Sequence, residues 1–251
     1  MTNWETYLTY DWFRDIWLPA AGAILIPVAI AFFTWWFGSS RAEKQREIQE
    51  LREDLNFLVS VCLASINGLK FLSEKLKEIE PKEKITIDLI VNNIPSPTDL
   101  NFDDICYGFL FDNVFATVNE AKYKNCISYN TDFIVDIVRV KSLLSSTEQY
   151  VSHRNSVIKS LAECEDFNTK LQRCFAFLTN DYKNLRLFLI DVYRITILVK
   201  IIISHVVKLN QEIKGLKLTP QLYNQEQMDF IKIAEEEYTK YSAQKQESQN
   251  A

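Results

Sequence analysis

Residues 16–40 contain no Asp, Glu, Lys, Arg or His, and their core, "WLPAAGAILIPVAIAFFTWWF", fills the 21 positions 17–37. At about 1.5 Å of rise per residue, a helix of that length crosses a hydrocarbon layer of roughly 30 Å. Trp17 stands at one end and Trp35 and Trp36 at the other, where indole rings favour the boundary between lipid and water. The pattern predicts a transmembrane helix over residues 16–38, preceded by a short segment, 1–15. A cleaved secretory signal would begin with basic residues and carry a shorter apolar run. Here Glu5, Asp11 and Asp15 oppose a single Arg14, so retention as an anchor is expected.

Basic residues orient such a helix. Only Arg14 precedes it, whereas Arg41, Lys44, Arg46 and Arg52 follow it. The expected topology places residues 1–15 outside an inner (plasma) membrane and everything after the span in the cytoplasm. Within the span, Pro19, Ala23, Pro27 and Ala31 recur at every fourth position. Pro27 has no amide hydrogen for the Ala23 carbonyl, which weakens the helix locally. Small residues in register let membrane helices approach closely, so this stripe offers a self-association surface. The plainer reading is that Ala and Pro are ordinary in membrane helices.

Residues 39–80 read as a long juxtamembrane helix. Ile48, Leu51, Leu55, Leu58, Cys62, Ser65, Leu69, Leu72, Leu76 and Ile79 step by threes and fours, a heptad seam of the coiled-coil kind. The seam can pair between chains or pack onto the chain's own helices. The extra apolar residues Phe57, Val59, Val61, Leu63 and Ile66 favour internal packing for its lower half, because a two-stranded coil has no use for so wide a face. Residues 43–55 remain a candidate contact between chains. The charges of residues 41–54 alternate in sign, which reads as a solvated helical face.

Pro81 is expected to end this helix, with residues 81–98 as an extended connector or short edge strand. Residues 99–243 should then form a cytosolic helical bundle with helices near 103–124, 132–162, 165–178, 181–214 and 225–242, followed by a disordered tail, 244–251. Low Gly and Pro content supports an all-α fold: the chain has 5 Gly and 6 Pro, and neither occurs between Gly108 and Gly215. A second apolar run, residues 185–209, contains Arg186, Asp191, Arg194, Lys200, His205 and Lys208. Each central charge opposes insertion by about 2.5 kcal/mol or more, so this run is expected to be a core helix. Arg186, Asp191 and Arg194 would line its polar face, facing solvent, pairing within the chain or edging a ligand groove.

A net charge of −5 argues against binding nucleic acid through a general basic surface. The five cysteines, Cys62, Cys106, Cys126, Cys164 and Cys174, have no two-residue spacing and read as reduced thiols. His153 and His205 stand far apart, so no metal set, cofactor site or catalytic motif is expected. Two faint nuclease-like patterns remain. Asp112 with Glu120-Ala121-Lys122 echoes a carboxylate plus E-x-K arrangement, and His153 beside Arg154 could supply a base and a phosphate clamp.

The "WFRDIWLP" lead-in, the single span and the charged helical stalk resemble single-pass membrane proteins that act as effectors or accessories in bacterial antiphage systems. The resemblance covers about a third of the chain and rests on layout. It implies a homo-oligomer that perturbs the lipid bilayer when its cytosolic domain receives a cue from a protein partner. A membrane-tethered adaptor and a helical nuclease are the alternative readings.

Overall fold

The computed structural model describes residues 18–92, 108–218 and 223–250. Among these residues every regular element is helical and no strand occurs. Four α-helices follow one another: α1 (Leu18–Asn92), α2 (Thr131–Ala162), α3 (Phe167–Glu212) and α4 (Gln225–Asn250). Two 3-10 segments, Val114–Thr117 and Glu120–Ser128, lie between α1 and α2. The chain divides into two compact units, Met1–Leu51 and Arg52–Ala251, and α1 contributes to both.

In the first unit, described from residue 18, α1 is the only element. Over Ile26–Asn92, in both units, α1 is long and apolar enough to cross a membrane.

The second unit is built around the seam of α1. Leu55, Leu58, Cys62, Leu69, Leu72, Leu76 and Ile79 are at most 2 % exposed. Ser65, the polar member, is buried and donates to the Val61 carbonyl at 2.9 Å. The lower seam therefore packs within the chain. Against it lie α3, which buries Val192, Val199, Ile202 and Val206, and α4, which buries Phe230, Ile231 and Ala234. Tyr193 and Phe230 join α3 to α4 with ring centroids 6.3 Å apart.

Local chemistry sets the helix ends. The Asn130 side chain accepts from the Asp132 amide at the start of α2, and Asp166 accepts from the Thr169 amide at the start of α3, each satisfying a first-turn donor. At α4, Asn224 accepts from the Gln227 amide at 2.8 Å while the Gln227 side chain accepts from the Asn224 amide at 3.0 Å, a reciprocal capping box. Gln227 also donates to Asn67 at 3.0 Å, tying this cap to α1. After α3 the chain turns through Gly215 at φ 94°, a conformation glycine adopts without side-chain strain.

Four expectations are corrected. Residues 81–92 are neither connector nor strand, because α1 runs through Pro81 to Asn92. Proline in a helix interior costs about 3 kcal/mol, but the turns beyond it bury Glu83 and Thr86 and pack Ile87 and Ile90 against Leu161 and Cys174. The helices expected at 165–178 and 181–214 are the single helix α3. The polar run between them turns inward at Asp181, which is 6 % exposed, and contains no Gly or Pro to stop the helix. Of the helix expected at 103–124, the described part forms 3-10 turns, with Asn119 accepting from the Ala121 amide. Residues 244–250 continue α4 rather than forming a disordered tail. Gln244, Lys245, Gln246 and Glu247 are good helix formers and are exposed.

Candidate functional site

Two features of the chain are costly unless they serve something. The first is the apolar surface of α1. Ile26, Val28, Ile30, Phe32, Phe33, Trp35, Trp36 and Phe37 are each 52–65 % exposed, and Pro27 and Ala31 are exposed beside them. Among the described residues their rings pair with one another, as in the Phe32–Trp36 and Phe33–Phe37 pairs at 6.0 and 6.3 Å. Trp17 lies outside the described residues. Pro19 and Ala23 belong to α1, but their side chains lie outside what is described. Ile48 and Leu51 are half-buried, unlike the fully buried Leu55 and Leu58. The seam thus changes character between Leu51 and Leu55, and Leu55, the last residue of the 43–55 segment expected to offer a contact between chains, is buried within the chain.

The second feature is a buried ionic cluster contributed by three helices. Glu83 of α1, Arg154 of α2 and Asp181 of α3 have side chains 0 %, 1 % and 7 % exposed. Arg154 donates to Glu83 Oε1 at 2.6 Å and pairs with Asp181 Oδ2. The Tyr150 hydroxyl donates to Asp181 Oδ1 at 2.7 Å. Aromatic rings flank the guanidinium, Phe109 at 4.7 Å and Phe177 at 5.3 Å from their centroids, so cation–π attraction adds to the ion pairs. Asn155 holds Phe109 in place through both its backbone groups, at 2.9 and 2.7 Å. Burial pushes the Glu83 carboxyl above its ordinary range despite the opposing charge of Arg154, and burial likewise pushes Tyr150 up to about 12.

Tyr150 also lines an open cleft of about 320 Å³ between α2 and α3, with Leu143, Leu187, Phe188 and Ile195 as apolar walls and Asp191 among its polar residues. The expected polar face of α3 is divided. Asp191 edges this cleft, Arg186 lines a separate hollow with Tyr241 and Lys245 of α4, and Arg194 is half-buried. The three do not converge on one ligand groove. Lower on α3, Lys200 pairs with Glu235 at 2.5 Å. His205 contacts Asp136 at 3.2 Å and Asn130 at 2.6 Å.

Neither nuclease-like pattern is assembled. His153 is exposed while its neighbour Arg154 is buried in the ionic cluster. Glu120 accepts from Lys141 at 2.9 Å, which lowers its carboxyl range, and Lys122 pairs with Asp54 at 2.7 Å. These side chains serve separate contacts on 3-10 turns, not adjacent strands. Among the described residues no group of three or more His, Cys, Asp or Glu could hold a metal.

Sequence reasoning missed Glu83, Tyr150 and Asp181. A signal existed for Glu83: the seam's next step of four after Ile79 falls on it, which places a carboxylate at a core position. No protein-family model, curated protein or solved structure matches the chain.

Proposed function

We propose that this chain is a single-pass membrane protein whose residues 16–38 span the bilayer, with residues 1–15 outside and a cytoplasmic helical bundle after the span. The single observation that carries this reading is the all-round exposure of the apolar side chains at residues 26–37. Leaving the eight large ones in water costs on the order of 10 kcal/mol at about 1.5–3 kcal/mol per side chain. That rivals the whole stability of a typical domain, about 5–15 kcal/mol, so lipid is the solvent this surface fits. Arg41, Lys44, Arg46 and Arg52 support the orientation.

Within this reading the protein acts as an oligomerising membrane effector or accessory, as in antiphage defence. A cue received by the cytoplasmic unit gathers membrane helices through the Pro27–Ala31 side of the span and through Ile48 and Leu51. The test joins two assays. Expressed protein should resist carbonate extraction, and expression with the cue should depolarise cells in a way that Pro27→Leu or Leu51→Ala abolishes. Release by carbonate overturns the membrane reading, and an unchanged potential overturns the effector reading alone.

One observation favours a second reading, a membrane-tethered adaptor. The seam from Leu55 to Ile79 is spent inside the chain, which leaves little of the stalk for pairing. An adaptor would keep its function when residues 16–38 are exchanged for an unrelated span.

A further inference from the structure

The structure assigns a binding site for a small organic cation, an ammonium or amidinium carried on an apolar body, to the cleft between α2 and α3. This goes beyond the membrane reading and does not rest on it. The cleft holds about 320 Å³, near the lower end of the roughly 300–1,000 Å³ in which small molecules are bound. On each helix its lining residues step by threes and fours, Leu143, Thr147 and Tyr150 on α2 and Asn184, Phe188, Asp191 and Ile195 on α3, so each helix turns one face to it. Thr147 and Phe188 are buried, and the Phe188 and Tyr150 rings lie with centroids 4.1 Å apart, which fixes this part of the lining by packing. Leu187, by contrast, is 51 % exposed and offers apolar surface to a ligand.

The polar lining decides the class of ligand. A hydroxyl or an amide can offer a ligand hydrogens or lone pairs, and here most of the hydrogens are already given away. Ser146 donates to the Ser142 carbonyl at 3.1 Å, and Thr147 to the Leu143 carbonyl at 3.0 Å. The Tyr150 hydroxyl donates to Asp181 Oδ1 at 2.7 Å, and the Asn184 amide donates to the Asn180 carbonyl at 3.0 Å. What the side chains keep is lone pairs, on three hydroxyl oxygens, Asn184 Oδ1 and the Asp191 carboxylate, against one remaining amide hydrogen of Asn184. No Lys, Arg or His lines the cleft. Asp191 is exposed and makes no hydrogen bond or ion pair among the described residues.

Such a lining selects by charge and by donor count. A phosphate or carboxylate entering it would lose water and meet acceptors and a like charge, with no cation to offset the loss. A neutral apolar molecule would cover Leu143, Leu187 and Ile195 but leave Asp191 unanswered. A cationic head carrying two or three N–H groups meets the carboxylate and the hydroxyl oxygens with charge-assisted hydrogen bonds. Its apolar body then displaces water from the leucine and isoleucine walls, while the Tyr150 and Phe188 rings add cation–π attraction.

The test uses the full chain in detergent micelles, methyl-labelled at Leu and Ile, and titrates phenethylammonium while NMR follows the methyl resonances of Leu143, Leu187 and Ile195. Saturable shifts, largest at these methyls, are expected with a Kd on the order of 1 mM, ordinary for a fragment of so few atoms. Phenylacetate, an anion on the same ring, should bind at least about tenfold more weakly. D191N should weaken phenethylammonium by about five- to tenfold and leave the neutral phenethyl alcohol unchanged, a contrast that partition into the micelle, common to both proteins, cannot produce. Ser146→Trp, which fills the cleft from an exposed position, should abolish the shifts. No saturable shift up to about 10 mM, equal affinity for phenylacetate, wild-type binding by D191N, or shifts that persist in Ser146→Trp overturns the assignment. So does failure of D191N to fold, since an exposed carboxylate without a partner has no structural task. Tighter binding of Nα-acetyllysine amide than of phenethylammonium overturns the choice of a free small molecule in favour of a lysine side chain.

Discussion

Leu58→Ala separates an internal seam from a pairing one. Leu58 is fully buried within a single chain, so the change removes three carbons from a packed core. At about 0.8 kcal/mol per buried carbon the transfer loss is about 2.4 kcal/mol, and the cavity left behind brings the total to about 2–5 kcal/mol. For a cooperative unit near 200 residues, each kcal/mol lowers Tm by about 2–4 °C, so Tm should fall by about 5–20 °C. The assay is thermal unfolding of the full chain in detergent, followed by near-ultraviolet circular dichroism at two protein concentrations a tenfold apart. An internal seam makes Tm the same at both. A seam shared by two chains would make apparent stability rise with concentration by mass action, about 1.4 kcal/mol per tenfold. A change in Tm below 2 °C for Leu58→Ala, or a wild-type midpoint that climbs with concentration, would refute the reasoning.

Leu51→Ala, at a half-buried position, should alter Tm by less than a third as much as Leu58→Ala in the same experiment. Arg154→Met leaves Asp181 with Tyr150 alone and should destabilise the helical unit by about 3–5 kcal/mol in urea titration; a loss under 1 kcal/mol would mean the cluster contributes little. Ile30→Arg places a charge near the middle of the apolar segment at about 2.5–3.5 kcal/mol, so the carbonate-released fraction should rise tenfold or more on immunoblots. Among the four described cysteines, Cys164 is half-buried whereas Cys62, Cys126 and Cys174 are fully buried. Burial holds the Cys126 thiol up to about 11, so maleimide near neutral pH should label Cys164 first, with the others following only in denaturant, as read by peptide mass spectrometry.

The helical class was legible because period and punctuation agree. Between Gly108 and Gly215 no residue forces a break, and α2, expected at 132–162, spans Thr131–Ala162 behind the Asn130 cap. The burial of the lower seam was legible from its width, since Val59, Val61 and Ile66 widen the stripe and are themselves buried. What sequence could not supply was the weight of distant contacts. Pro81 looked like a stop because its local cost is known, while the packing of Ile87 and Ile90 on residues more than 70 positions away is not written in any window. Asp181 looked like a turn residue because Asn180 and Asp181 are locally turn-prone, yet Arg154 draws it inward. The exposure of residues 26–37 was readable at once, because an apolar surface without period leaves no face to hide.

The polar residues along the buried stripe of α1 differ in what they demand, and this bears on how the helices find their register. Ser65 and Thr86 donate to Val61 and Lys82, carbonyls of their own helix, so they are satisfied wherever α1 sits. Glu83 is satisfied only opposite Arg154. The apolar steps of three and four are nearly indifferent to a slip of one helical turn, about 5.4 Å, because one aliphatic side chain then replaces another. After such a slip Ile79 or Ile87 would face Arg154 in place of Glu83, and the guanidinium would be buried without that partner while the Glu83 carboxyl was carried to a site with no cation. Burying the Glu83 carboxyl without a hydrogen-bond partner costs about 1–3 kcal/mol, above the difference between two aliphatic packings. The cluster therefore selects one alignment of α1 on α2 and α3 from several that the seam alone would accept. Replacing all three members together by apolar residues should leave the unit as stable as before while broadening the exchange and NMR signatures of residues 80–92, because stability and uniqueness are here supplied by different side chains.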